Sequence, residues 1–189
     1  MNRREAISAV SLLLGGSIVG SNLLLSGCKN PETKVAENLE FDQDKVAFLD
    51  EIGETIIPAT STPGAKAAKV GEYMKVIVDD CYDEKNRKIF IEGLAKINEA
   101  SKKKFDKSFL EADANQRHAL LVDLDNEQKE YMKKKKKDES SHYFRMMKEL
   151  TLLGYFTSEI GCTQALRYVD VPGKYEGCVP YKKGDKAWA

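Results

Sequence analysis

Between Asp42 and Gly154 the apolar residues recur every three or four positions and nowhere alternate in the two-residue rhythm of a strand, which restricts this chain to a helical fold. The first run places Val46, Leu49, Ile52 and Ile56 on one face. It starts after Asp42, a side chain suited to an N-cap, and stops at Pro58. Thr60 to Ala65, containing Thr62-Pro63-Gly64, reads as a turn. A second run aligns Val70, Tyr73, Met74, Ile77 and Cys81, and a third, from about Glu84 to Phe105, aligns Phe90, Leu94, Ile97 and Phe105. The fourth covers roughly Ala112 to Leu124 through His118, Leu121 and Leu124, and the fifth runs from about Ser141 to Gly154 through Tyr143, Met147 and Leu150. The expected fold is all-α: a compact helical domain of about five or more helices with an irregular C-terminal segment. One core of roughly 150 residues is large enough to bury about 68–70% of the unfolded surface.

The segment ahead of this domain reads as a targeting signal. Met1-Asn-Arg-Arg-Glu5 is a short charged start, Ala6 to Leu25 is uncharged, and Leu25-Ser-Gly-Cys28 closes it in the pattern of a bacterial lipobox. In such a pattern the small residues admit the peptidase and the Cys28 thiol accepts a diacylglyceryl group. A stretch of this length also suits a membrane-spanning helix, but its glycines and serines and the abrupt Cys28 favour cleavage. Arg3-Arg4 ahead of a modestly hydrophobic stretch resembles a twin-arginine export signal, the route for proteins that cross already folded. The expected organisation is a lipoprotein signal peptide over residues 1–27, a flexible tether over 28–41 and the helical domain over 42–189. The expected location is the bacterial cell envelope, with the chain facing the periplasm and held to a lipid membrane through Cys28.

Charge excludes one class of partner. The 30 Lys+Arg balance 30 Asp+Glu, and without Arg3, Arg4 and Glu5 the remainder stands at 28 to 29, so no surplus exists to neutralise phosphates; a nucleic-acid partner is not expected. The run Lys133 to Lys137 is flanked by Glu127, Glu130, Asp138 and Glu139 and reads as a solvated helix face or loop rather than a lipid-binding patch. Catalytic signatures are missing: the chain has no dinucleotide-binding G-x-G-x-x-G after a strand, no P-loop, no G-x-S-x-G elbow and no C-x-x-C-H haem site. His118 and His142 lie on expected helices without a ligand partner at metal spacing, and the acidic group Asp79, Asp80, Asp83 and Glu84 reads as a solvated helix end. No catalytic, cofactor-binding or metal-binding residue is assigned.

The remaining cysteines sort by position. Cys81 falls on an apolar helical face and reads as a small buried thiol. Cys162 and Cys178 share the C-terminal segment, and in an oxidising compartment a disulfide between them would close a loop of about 15 residues, worth roughly 3 kcal/mol in the chain-entropy model. Two free buried thiols are the other reading.

Three stretches resemble the gluconate 2-dehydrogenase subunit 3 family. Thr55-Ile-Ile-Pro-Ala-Thr60 followed by Thr62-Pro-Gly-Ala65 is similar to its first motif, and Phe90-Ile-Glu-Gly-Leu-Ala95 to its middle helix. Leu153-Gly-Tyr-Phe-Thr-Ser-Glu-Ile-Gly161, Leu166-Arg-Tyr168 and Val171-Pro-Gly-Lys-Tyr-Glu-Gly177 are similar to its closing motif. The pieces occur in the family's order over about Val46 to Tyr181, and the departures are the cysteine pair and the lysine-rich insertion near residues 133 to 137.

The resemblance implies a non-catalytic small subunit that exports, stabilises and anchors a flavin-dependent sugar or sugar-acid dehydrogenase of the glucose-methanol-choline type. The large flavoprotein subunit would hold FAD, this chain would hold no cofactor, and a cytochrome c subunit often carries the electrons onward in such complexes. An independent envelope lipoprotein that binds another periplasmic partner is the alternative. For the partner interface, the C-terminal segment offers Tyr155, Phe156, Arg167, Tyr168, Tyr175 and Tyr181, aromatic residues with an arginine and few other charges. The competing reading is that these aromatics only cap the chain's own helices.

Overall fold

A computed structural model describes residues 41–171 and 173–189; the expected signal peptide, Cys28 and nearly all of the expected tether lie outside the described residues. Five α-helices follow one another: α1 (Gln43–Ile56), α2 (Val70–Cys81), α3 (Glu84–Phe105), α4 (Ala114–Lys134) and α5 (Tyr143–Phe156), and a π-helical turn (Gly161–Ala165) completes the order. Among the described residues there is no β-strand, and only an isolated parallel bridge joins Arg167 to Trp188. The all-α expectation therefore holds.

Aspartates start three of the helices. Asp42 accepts from the Lys45 N–H at 2.8 Å, Asp83 from Asn86 at 2.7 Å and Asp113 from Gln116 at 2.9 Å, and the Gln116 side chain returns a bond to the Asp113 N–H at 3.1 Å to complete a capping box. α2 lacks such a residue: its N-cap is Lys69, in the left-handed region at φ 54° with no side-chain cap. Its orphan donor is met from another helix, because the Asp50 carboxylate on α1 accepts from the Gly71 N–H at 2.8 Å. Burial pushes the Asp50 carboxyl up even so.

α5 is the hub, packed against each of the other four helices. Tyr143, Phe144, Met146, Met147, Leu150, Thr151, Gly154 and Tyr155 are all buried on it, so it is apolar on more than one face. The one buried hydroxyl among its central residues, that of Thr151, donates to the Met147 carbonyl at 2.8 Å. Leu49 and Ile52 of α1, Met74 and Val78 of α2, and Phe90 and Ile97 of α3 complete a core from which water is excluded.

Four expectations are corrected in detail. Phe41, assigned to the tether, is buried, its ring centroid 6.3 Å from that of Phe90. The fourth helix begins two residues later than expected and continues ten residues past Leu124, because Gln128, only 2% exposed, prolongs its inner face with a polar residue that hydropathy discounts. His118 is solvent-exposed on that helix. Cys81 is exposed at the last residue of α2, where Val78 holds the inner position instead. Lys133 and Lys134 form the last turn of α4, and Lys133 pairs with Glu130 at 2.6 Å, which makes the lysine run a solvated helix end. Asp79 of the acidic group pairs with Arg87 at 2.8 Å.

An ion-pair node ties α4 to α5. Asp125 receives Lys148 at 2.6 Å, Lys129 at 2.7 Å and the Gln128 amide at 3.1 Å. Burial alone would raise its carboxyl; the hydrogen bonds from Lys129, Lys148 and Gln128 outweigh burial and hold it at about 2. Because the folded value lies below the unfolded one, the stabilisation is complete above the unfolded pKa and disappears as pH falls through about 4 toward 2. Asp125→Asn should therefore cost about 2 kcal/mol at pH 7 and flatten the acid limb of the stability curve, as urea unfolding at a series of pH values will read.

Candidate partner-binding surface

The first and closing motifs fold against each other. The loop after α1 turns back on itself through the Ala65 N–H to the Ile57 carbonyl at 3.0 Å and the Thr60 N–H to the Thr62 carbonyl at 2.9 Å. Glu54, on the last turn of α1, spans the loop: one carboxylate oxygen accepts from the Ala59 N–H and the other from the Lys66 N–H, each at 2.9 Å. Gly64 is required beneath it, since a Cβ there would stand 2.3 Å from a Glu54 oxygen that these two bonds hold in place. The Tyr155 hydroxyl of the closing motif then donates to the Pro63 carbonyl at 2.7 Å, across 92 residues of sequence.

A shallow, open hollow lies over this loop, lined by Glu51, Glu54, Pro63, Gly64 and Lys66. Glu51 is paired with Lys66 and with Arg117 of α4. Burial opposes its ionisation, and the hydrogen bonds from Lys66 and Arg117 outweigh that and lower its carboxyl. Its charges are thus satisfied within the chain. No group of three or more His, Cys, Asp or Glu among the described residues is arranged to hold a metal ion.

Beyond α5 the backbone turns through a tight corner. The Ser158 hydroxyl donates to the Tyr155 carbonyl at 2.7 Å and accepts from the Gly161 N–H at 3.0 Å, and the Cys162 N–H reaches the Ser158 carbonyl at 2.8 Å. The chain then runs out and returns: the Arg167 N–H donates to the Ala187 carbonyl at 2.8 Å, and the Ala189 N–H to the Arg167 carbonyl at 3.0 Å. The Arg167 guanidinium lies 4.4 Å from the centroid of the Trp188 ring. The described residues between contain no helix or strand, and their large apolar side chains face water: Tyr168, Val171, Tyr175 and Tyr181 are 53%, 79%, 95% and 74% exposed.

The six residues expected at a partner interface divide accordingly. Tyr155 is buried at 2% exposure and serves the chain's own core, which removes it from any docking surface. Arg167 is half-buried and engaged with Trp188. Phe156, Tyr168, Tyr175 and Tyr181 are exposed, and Leu152 and Leu153 stand exposed beside Phe156 on α5, residues that helical periodicity alone assigns to neither face. Trp188, which clasps the loop, carried no sequence signal because it stands among polar residues near the chain end. Cys162 and Cys178, between which a disulfide is expected, stand as free thiols in this structure, and the Cys162 thiol faces the Phe156 carbonyl at 3.1 Å.

The described residues thus form a five-helix domain whose ion-paired face is satisfied within the chain and whose C-terminal loop turns its apolar side chains outward. Residues 43–173 match the family described as Gluconate 2-dehydrogenase subunit 3, and the chain belongs to that family. The match covers about two-thirds of the chain and includes all five helices and the resembling stretches as far as Gly173. No curated protein and no solved structure matches it. Among the described residues no helix is long and apolar enough to cross a membrane.

Proposed function

We propose that this chain is the non-catalytic small subunit of a membrane-associated, flavin-dependent sugar or sugar-acid dehydrogenase, which it exports, stabilises and anchors. The family is named for a subunit of gluconate 2-dehydrogenase, and that membership carries the reading. FAD belongs to the large partner subunit, with a cytochrome c subunit as a further companion. Cys28 supplies the lipid anchor and Arg3-Arg4 the signal for folded export to the periplasmic side. The docking residues are the exposed aromatics Phe156, Tyr168, Tyr175 and Tyr181. The support for this is physical: so much aromatic surface left in water at the end of an otherwise closed core is stabilised by burial against another protein.

Purification of the tagged full chain from its native membrane should bring down a flavoprotein with the absorption of an oxidised flavin. The double substitution Tyr175→Ser with Tyr181→Ser should release it, because aromatic anchors at the centre of an interface cost about 2 kcal/mol or more each when truncated. A preparation free of flavin would favour an independent envelope lipoprotein instead.

A further inference from the structure

His142 is buried at the start of α5, only 8% exposed, and it is the N-cap of that helix. Its Nδ1 accepts from the Phe144 N–H, two residues on, at 3.2 Å, serving as an aspartate oxygen does at the other capped helices through the N–H three residues on. A ring nitrogen accepts only when it carries no proton, so the neutral tautomer here has its hydrogen on Nε2. That atom lies 3.7 Å from a Glu127 carboxylate oxygen. The ring is held between Tyr143, at a centroid distance of 4.3 Å, and Tyr131, at 5.5 Å, and cannot swing away without opening both contacts.

We infer that His142 is a proton-responsive cap: taking up a second proton turns Nδ1 from acceptor to donor, sets it against the Phe144 N–H and releases the first turn of α5. The groups facing the imidazole are Glu127 and Tyr131 from α4, Lys96 from α3 and Tyr143 from α5. Burial opposes the second proton, Glu127 favours it and Lys96 opposes it, and burial prevails, so His142 titrates below the ordinary histidine value. The folded value is depressed, so the stabilisation is complete above the unfolded value of about 6.5 and is lost as pH falls below it. Helix α5 packs against every other helix and carries Phe156 at its far end. One proton thus acts on the element shared by the core and the proposed docking surface.

In NMR titration of the full chain, His142 should titrate below the ordinary histidine value of about 6.5, with the Phe144 amide shifting in step with it. Hydrogen exchange, corrected for intrinsic rates, should show the start of α5 losing about fivefold protection between pH 7.5 and 5, the worth of one helix cap. His142→Asn, which caps through an amide oxygen and does not titrate in this range, should remove that loss while α3 behaves alike in both proteins. Titration of His142 at or above about 6.5, or the same loss of protection in His142→Asn, overturns the inference.

Discussion

Replacing Gly161 with alanine should break the corner that follows α5. A Cβ at this position would lie 1.8 Å from the Tyr155 carbonyl oxygen and 2.7 Å from its carbonyl carbon, and both are backbone atoms that no rotamer change can move. The same carbonyl accepts from the Ser158 hydroxyl, so displacing it also undoes the bond that shapes the turn. Tyr155, whose hydroxyl joins the closing motif to Pro63, would have to shift with it. Overpacking against rigid backbone costs about 3 kcal/mol, and here the strain falls on a residue whose ring is fully packed in the core. Urea unfolding should show the loss as a lowered midpoint with little change in slope. Gln164→Ala, an exposed position in the same π-helical turn, should stay within about 0.5 kcal/mol of the unaltered chain. Equal stability of the two variants would mean that the approach of the two backbones is relieved at no cost.

Changing Arg3 and Arg4 together to lysine should strand the flavoprotein partner in the cytoplasm, although the partner's own sequence is untouched. A domain folded around FAD cannot be threaded through a channel unfolded; on the proposed function it leaves only while bound to the chain that carries the signal. Lys-Lys preserves the positive charge that an ordinary signal peptide needs, so the substitution separates the twin-arginine route from general export. Dehydrogenase activity in the envelope fraction should fall to a small remainder and reappear in the cytoplasmic fraction. Normal envelope activity in the double-lysine strain would show that the partner travels without this subunit.

The helices were legible wherever apolar spacing and a capping residue agreed. α1 and α3 lie where Asp42, Pro58 and the Phe90, Leu94, Ile97 stripe place them. α4 outran its expected end because its inner face continues through Gln128, and periodicity is blind to a polar residue buried at a helical position. The aromatics of the closing segment were recognisable as a group, but their roles depend on where the backbone goes after the corner. Tyr155 and Phe156 are neighbours in sequence, one sealed in the core and the other at 40% exposure, and composition cannot separate them. The Arg167 and Trp188 clasp joins residues 21 apart through a loop with no periodicity at all, so it left no sequence trace. Glu54 escaped notice for a related reason: its partners are backbone N–H groups, which every residue possesses.

The cap that α1 lends to α2 has a kinetic meaning. A helix of 12 residues is marginal by itself in water, and this one begins at a left-handed lysine with no side chain of its own to stop the first turn from fraying. Its start is instead supplied by Asp50, 21 positions earlier on a helix that possesses its own local cap. α1 thus carries its own cap, whereas the Gly71 N–H at the start of α2 gains its carboxylate partner only when the two helices dock. Substitutions at Asp50 should therefore slow the formation of α2 more than they disturb α1, as folding kinetics of Asp50→Asn will read.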